Sequence, residues 1–482
     1  MIRRAERSGA APSLPRRDAN IGGVSRNSSD VLVLGAGASG LAAAQSLGAA
    51  GLRVTVLEAR DRVGGRVHTV RDESSPLPVE LGAEFIHGRP EETWDIIREA
   101  RLLASDADGA HWFFDGRRLT ELKDAWGQIE SVMKRMAKVP RRDDPTFAEF
   151  LKSVCGRGRL DRACAMAKLY VEGFNAAPAD RIGVRSLVES EQQEEEGSDP
   201  ASGASQFRLV SGYDRITDHL RAALDPARVS VQLQRVASDV RWERGRIEVR
   251  SQTPQGQAVA PIVASRLIVT LPLGVLKARP EEEGAVRFDP DLPAPKRRAI
   301  EALGNGPVVK VVLRFREAFW ETEQLRTAAR GKRLDSMAFI HARAETVPTW
   351  WTAFPLRGTT LTGWAGGPAG EALSGLGEAK ILERSLQSLS RQLGMGVAQL
   401  RRRLERAWVA DWQSDPFSRG AYSYVPAGAM GAVAELAKPI SDTLHFAGEA
   451  TEPPGSSGTV AGAIASGRRA AREVLRGVRG GG

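Results

Sequence analysis

Gly35-Ala-Gly37-Ala-Ser-Gly40 stands between a short apolar run, Asp30-Val-Leu-Val-Leu34, and a stretch of small residues. Glycines at this spacing, after a strand and at the start of a helix, suit a pyrophosphate. The first permits a tight turn, the second lets backbone approach the anion, and the third lets the helix pack closely on the strand. The helix N-terminus then faces the negative charge. Glu58 closes the next apolar run, 18 residues after Gly40, where a carboxylate can accept hydrogen bonds from a ribose. A glycine-rich turn alone is a weak signal, but with the carboxylate a dinucleotide site becomes the better reading. Next, Ala59-Arg60-Asp-Arg62-Val-Gly64-Gly65-Arg66 places arginines beside a double glycine. That suits a second approach to the pyrophosphate, although a glycine turn with solvated arginines has the same composition.

These residues need a scaffold. Asp30–Leu34 and Arg53–Leu57 read as short buried strands joined by a helix over Ala38–Ala50, ending near Gly51. Such a βαβ unit implies a parallel sheet. Strand patterns return at Val229–Leu233, Val240–Val249, Arg266–Leu271 and Val308–Phe315, and a final helix begins near Gly458. Residues 90–190 read as mainly helical, and the acidic, Gly/Ser-rich Glu189–Ser205 as an exposed loop. The fold class is α/β: a doubly wound, Rossmann-like nucleotide-binding domain from residues 30–88, 206–287 and 405–476. Residues 89–205 and 288–404 form an inserted α+β substrate domain. Residues 1–29 read as a mobile tail and 477–482 as a flexible end.

The 482 residues are 42% hydrophobic and 26% charged, which excludes a wholly disordered or fibrous chain. The net charge of +9 invites a nucleic-acid reading, but it sits at the ends. Six arginines face only Glu6 and Asp18 before residue 30, and five face only Glu473 after residue 467. The body between is nearly neutral, so no nucleic-acid partner is expected. Cys155 and Cys164, the only cysteines, read as reduced thiols of an intracellular protein. No apolar h-region follows the N-terminal arginines and no apolar run spans a bilayer, so neither a signal nor a membrane anchor is expected and the cytoplasm is the default.

With the double-glycine segment, the sequence resembles the flavin-containing amine oxidase family, which includes polyamine oxidases, monoamine oxidases and the lysine-specific histone demethylase. The resemblance runs from Asp30 to Arg476. Its motifs are Glu80-Leu-Gly-Ala-Glu-Phe-Ile-His87-Gly, Thr270-Leu-Pro-Leu-Gly-Val-Leu-Lys277, Pro307-Val-Val-Lys310 and Trp412 through Tyr424. Phe446-Ala-Gly448-Glu449-Ala-Thr and Gly458-Thr459-Val460-Ala-Gly462 complete the set.

The resemblance implies FAD, contacted by Gly35, Gly37, Ala38, Ser39, Gly40, Glu58, Ala59, Arg60, Gly64, Gly65 and Arg66. It adds Leu81, Gly82, Ala83 and Glu84 along the flavin edge, Val236 at the adenine end, and Trp412, Gly448, Glu449, Gly458, Thr459 and Val460. Ala421 stands where monoamine oxidases carry a flavin-bonded cysteine, so the FAD is expected to be noncovalent. No metal is required.

Three residues are implied in catalysis. Alternation along Val308–Phe315 puts Lys310 opposite the apolar face made by Val309, Val311, Leu313 and Phe315. Spacing alone favours a half-exposed strand with a solvated lysine, whereas the resemblance turns Lys310 toward the flavin, holding a water. Tyr422 supplies an aromatic wall, with Thr459 where monoamine oxidases place a second ring. His87 is implied in orienting substrate. Glu84 and Glu172 are candidates for attracting a cationic amine.

The expected activity is oxidation of a primary or secondary amine, polyamine or monoamine, by hydride transfer to flavin N5, with imine hydrolysis and reduction of O2 to hydrogen peroxide. A flavin-dependent dehydrogenase or desaturase acting on a nonamine substrate is the alternative enzyme. A flavin-containing chromatin or nucleic-acid binding protein is the alternative from another class, and against it stands the lack of an insertion long enough for the demethylase's helical tower.

Overall fold

Val31–Leu34 and Val54–Leu57 are buried on both faces, as strands covered above and below must be. In the computed structural model, which describes residues 28–73, 75–123, 125–155, 161–197, 206–321 and 334–480, they pair in parallel. Strand Val229–Gln232 adds beyond Val54–Leu57, and Ala258–Val269 runs parallel on the other side of Ser28–Leu34. Beyond it lie Arg246–Gln252, Val236–Glu243 and Arg287–Asp289, and Leu444–Phe446 also pairs with Ala258–Val269. The helix Ala38–Ala49 is buried on nearly all sides, because it is sandwiched between this sheet and the terminal helix Val460–Gly480. Gly467 makes that approach possible: a Cβ there would lie 2.1 Å from the Ser39 carbonyl oxygen.

A second sheet runs Leu404–Asp411, Val308–Phe315, Thr360–Gly366, Thr349–Trp351, Met337–Ala342, Ala110–Phe114 and Leu119–Leu122. Val309, Val311 and Leu313 share one of its cores with Ile381, Leu386 and Leu389 of the helix Glu378–Leu393. The opposite face of the same strand carries Lys310 and looks toward the first sheet's half of the molecule.

Several expectations are corrected. The strand at Val308–Phe315 is buried along its whole length, so Lys310 is not solvated although the alternation of faces holds. Strand Leu404–Asp411, expected in the nucleotide half, pairs in the second sheet. Ile96 and Ile97 of helix Glu91–Glu99, and Ala299 and Ile300 of helix Ala294–Ala302, pack instead into cores of the nucleotide half. The stretch 90–190 is interrupted by strands Ala104–Asp106, Ala110–Phe114 and Leu119–Leu122, and Val240–Val249 is a hairpin turning at Gly245. Residues 189–197 belong to the helix Val184–Gly197, anchored by buried Val184 and Leu187; the remainder of the expected loop lies outside the described residues. Strand Ser28–Leu34 starts two residues early, and residues 477–480 continue the last helix. The expected tail before Ser28 is outside the described residues. Cys155 and Cys164 form a disulfide rather than two thiols, which removes the premise of the reducing-compartment argument. Among the described residues no helix is long and apolar enough to cross a membrane.

Candidate active site

A cavity of about 1070 Å³ runs from the glycine turn to the inner face of the second sheet. At its first end the helix Ala38–Ala49 begins at Gly37 with no side chain capping its amides. Those open N–H groups, together with the helix dipole, favour an anion. A Cβ on Gly37 or Gly448 would meet no protein atom nearer than 3.9 Å, and on Gly65 none nearer than 3.5 Å. All three line the cavity, so the space their missing side chains leave belongs to a ligand. Ala38, Ser39, Gly35, Gly64, Ala59 and Val236 line the same end.

Glu58 is 4% exposed, and its carboxylate accepts from the amides of Ala36 and Arg60, both at 2.9 Å. These bonds fix the carboxylate at the end of its strand and leave lone pairs for a ribose. The arginines are not solvated. Arg60 pairs with Asp415 at 2.7 Å, and Arg66 bridges Glu449 and the Ala421 carbonyl, both at 2.8 Å. Arg62 donates to the carbonyls of Val63, Gly65 and Val67, locking the double-glycine loop. Burial pulls its guanidinium down to about 10. Glu449 also accepts from Ser423 and from the Gly458 amide, and so ties three cavity-lining segments together. Thr459 caps its own helix by accepting from the Gly462 amide, and Val460 and Gly458 line the wall beside it.

Gly40 and Leu81 stand behind the wall. A Cβ on Gly40 would lie 1.9 Å from the Gly35 carbonyl oxygen, so this glycine serves helix packing. Leu81 packs on Val79 and Val312, and its carbonyl accepts from the Trp412 indole at 3.0 Å. That bond holds Trp412, which does line the cavity.

At the other end, Lys310 donates to Glu84 at 2.7 Å and to the Gly82 carbonyl at 3.1 Å. The second oxygen of Glu84 accepts from Arg208 at 2.9 Å and from the Trp351 indole at 2.8 Å. Burial pushes the Glu84 carboxyl up, but the ion pairs with Lys310 and Arg208 outweigh it and leave it below the usual range. Arg208 also donates to the Thr352 and Phe354 carbonyls. Glu84 is therefore already compensated and is no open anchor for a cationic amine. Glu172 does not line the cavity; it accepts from the Ala179 amide and lies 3.7 Å from Lys168.

Tyr422 donates to the Phe174 carbonyl at 2.6 Å, and burial raises its phenol above the usual range. Its ring lies nearly parallel to Trp364, with centroids 6.5 Å apart. An aromatic pair thus exists where sequence offered only one ring, because Trp364 comes from the strand beside Lys310. His87 sits edge-on to Phe174, and burial holds it down at about 4, so it is a neutral imidazole at ordinary pH.

Twenty-three of the residues expected in catalysis or at FAD thus share one cavity, whereas Gly40, Leu81 and the candidate Glu172 do not line it. The residues missed are Arg208, Trp351, Trp364, His111 and His341. Each reaches the site through strand pairing, and no local motif marks any of them.

Comparison with known proteins agrees with this arrangement. Residues 38–475 match the model of the flavin containing amine oxidoreductases. Polyamine oxidase 2 of Arabidopsis thaliana is 31% identical over an alignment covering 92% of this chain and 88% of its own. Lysine-specific histone demethylase 1 homolog 3 of the same plant is 28% identical over 92% of this chain, which spans only 30% of that protein's length. Among solved structures, wild-type putrescine oxidase bound to putrescine superposes with a TM-score of 0.73 at 21% identity, covering 93% of this chain and 99% of its own. Cyclohexylamine oxidase from Brevibacterium oxydans gives 0.73 at 18% identity, covering 94% and 99%. With its glycine turn, ribose carboxylate and aromatic, lysine-bearing inner end in one cavity, this chain belongs to the flavin-containing amine oxidoreductases, as an FAD-dependent amine oxidase.

Proposed function

We propose that the protein oxidises a primary or secondary aliphatic amine to an imine, which hydrolyses to the carbonyl product, with O2 consumed and hydrogen peroxide released. The flavin, held noncovalently, supplies the hydride acceptor at N5 and the route of electrons to O2. One observation carries the reading: the glycine-lined end of the cavity, with Glu58, is continuous with an aromatic inner end bearing Lys310. Gly35, Gly37, Gly65 and Gly448 would hold the pyrophosphate side and Glu58 the ribose. Neither cysteine lines the cavity, and Ala421 offers no thiol, in keeping with noncovalent binding.

The chain's own groups select a neutral amine. Lys310, Arg208 and Glu84 together carry one excess positive charge in a site removed from water, which disfavours an incoming ammonium. Loss of hydride from the carbon next to nitrogen requires the nitrogen lone pair, so the same electrostatics favour the reactive form. Tyr422 and Trp364 confine the amine from the sides, and neutral His87 can orient it by hydrogen bonding.

The test is direct. The purified protein should carry an oxidised flavin spectrum, release the flavin on denaturation, bleach anaerobically with aliphatic amines and yield peroxide on re-aeration. A bound flavin left oxidised by every amine class but reduced by a nonamine donor would overturn the proposal in favour of a dehydrogenase or desaturase.

A further inference from the structure

Lys310 stands opposite Trp364, Trp364 opposite Thr349, Thr349 opposite His341, and His341 opposite Phe113. Directly opposed residues of a sheet share a face. All five line the cavity, so this row is its floor. Three strand spacings separate Lys310 from His341, roughly 14 Å at about 4.8 Å each.

At that far position the floor changes character. His111 Nδ1 lies 3.1 Å from His341 Nε2, a hydrogen bond between two imidazoles stacked on Phe339. Burial holds both rings below the usual histidine range, His341 at about 3, so the pair is neutral at ordinary pH. One proton occupies the bond between them. If His111 donates it, His341 Nδ1 carries a proton and donates; if His341 donates it, His341 Nδ1 accepts. A neutral dyad therefore adapts its outer nitrogen to its partner by exchanging tautomers, the bridging proton changing rings as one outer nitrogen loses a proton to solvent or ligand and the other gains one, and it does not repel a cation. Asp108, which also lines the cavity, adds a negative charge felt by His111.

We infer that the His111–His341 dyad is a distal recognition site for a second hydrogen-bonding group, an amine or a hydroxyl, on a long substrate whose reacting amine lies at the Lys310 end. This rests on the amine oxidase reading and adds the residues that set chain length. Between the two ends, Trp351, Trp364 and Phe339 present aromatic surface suited to a methylene chain, with Thr349 the polar residue among them.

The experiment compares α,ω-diamines, amino alcohols and plain alkylamines of matched length on the flavin-loaded protein. It uses anaerobic flavin reduction and, independently, dissociation constants from quenching of tryptophan emission. Long diamines should be preferred over alkylamines of equal length by roughly tenfold, the worth of one well-made charge-assisted hydrogen bond, long amino alcohols by less, and short ones of either kind should show no preference. His341→Leu should bring that ratio close to one, whereas His341→Asn, which keeps a donor and an acceptor, should retain part of it. The ratio is insensitive to a general loss of folding or flavin. The diamine and amino alcohol arms tell whether the second group is charged. A wild-type protein with no length-dependent preference, or a ratio unchanged in His341→Leu, overturns the inference. Failure of the oxidase reading looks different: no amine bleaches the flavin, and the emission titrations still report whether the dyad binds.

Discussion

Lys310 Nζ lies 2.7 Å from Glu84 Oε2, and the two side chains are 1% and 10% exposed. Glu84 answers two cations, Lys310 and Arg208, while Lys310 has one carboxylate. The two halves of the pair are therefore unequal. Glu84→Gln strands two buried cations and should cost about 3–5 kcal/mol of stability, the usual effect of breaking a buried pair from one side. Lys310→Met leaves Glu84 still paired with Arg208 and should cost clearly less. Urea unfolding of both variants and of the double variant checks this. A cost for Glu84→Gln no larger than for Lys310→Met would contradict the arrangement.

Glu80 lies four residues before Glu84 and behaves oppositely. It accepts from the Thr69 hydroxyl and the Tyr213 amide, both at 2.7 Å, yet burial outweighs these bonds and raises its carboxyl from 4.5 to about 7. Between those values the folded protein binds more protons than the unfolded chain. The stability Glu80 contributes by titration is thus complete below 4.5 and is lost as pH rises through about 7. Unfolding titrations from pH 5 to 8 should show wild type losing up to about 1.4 kcal/mol per pH unit relative to Glu80→Gln, levelling off on the alkaline side. A difference that is flat with pH would refute the assignment.

The disulfide closes a sequence separation of nine residues between helix Phe147–Val154 and helix Asp161–Phe174. A loop that short restricts the unfolded chain by about 2–3 kcal/mol. Thiol titration of the denatured protein should find no free thiol before reduction and two after, and Cys155→Ser should lower the urea midpoint accordingly. Two reactive thiols in the unreduced protein would contradict the bridge.

What the sequence disclosed was local. The strand, glycine turn and helix at residues 30–50 lie within one short segment, where each glycine's task follows from its neighbours. The alternation that put Lys310 on its own face of the strand needed only eight consecutive residues. Its burial did not follow, because the covering Gly82–Glu84 segment is more than 220 residues away. Arg208 meets Glu84, and His111 meets His341, only after strands distant in sequence find their register. Composition misled at 189–197, where an acidic run looked like a loop although buried Val184 and Leu187 one turn earlier anchor it as helix.

Gly37 and Gly40 separate binding from folding. A Cβ on Gly37 meets nothing nearer than the Gly64 carbonyl oxygen at 3.9 Å, and its backbone is extended, so Gly37→Ala strains nothing within the protein. The added methyl instead enters the space over the uncapped helix N-terminus, where a pyrophosphate would approach backbone most closely. Gly40→Ala places its methyl 1.9 Å from the Gly35 carbonyl oxygen, a clash with backbone that must push helix from strand. Gly37→Ala should keep the apo-protein's unfolding midpoint and weaken FAD binding at least about tenfold, a loss of about 1.4 kcal/mol. Gly40→Ala should lower the stability of the apo-protein itself by about 1–3 kcal/mol, as overpacking does, and its midpoint with it. Flavin titration of the apo-proteins, followed by fluorescence quenching, together with urea unfolding separates the two effects. If Gly37→Ala binds FAD as wild type does, the pyrophosphate does not cross this turn.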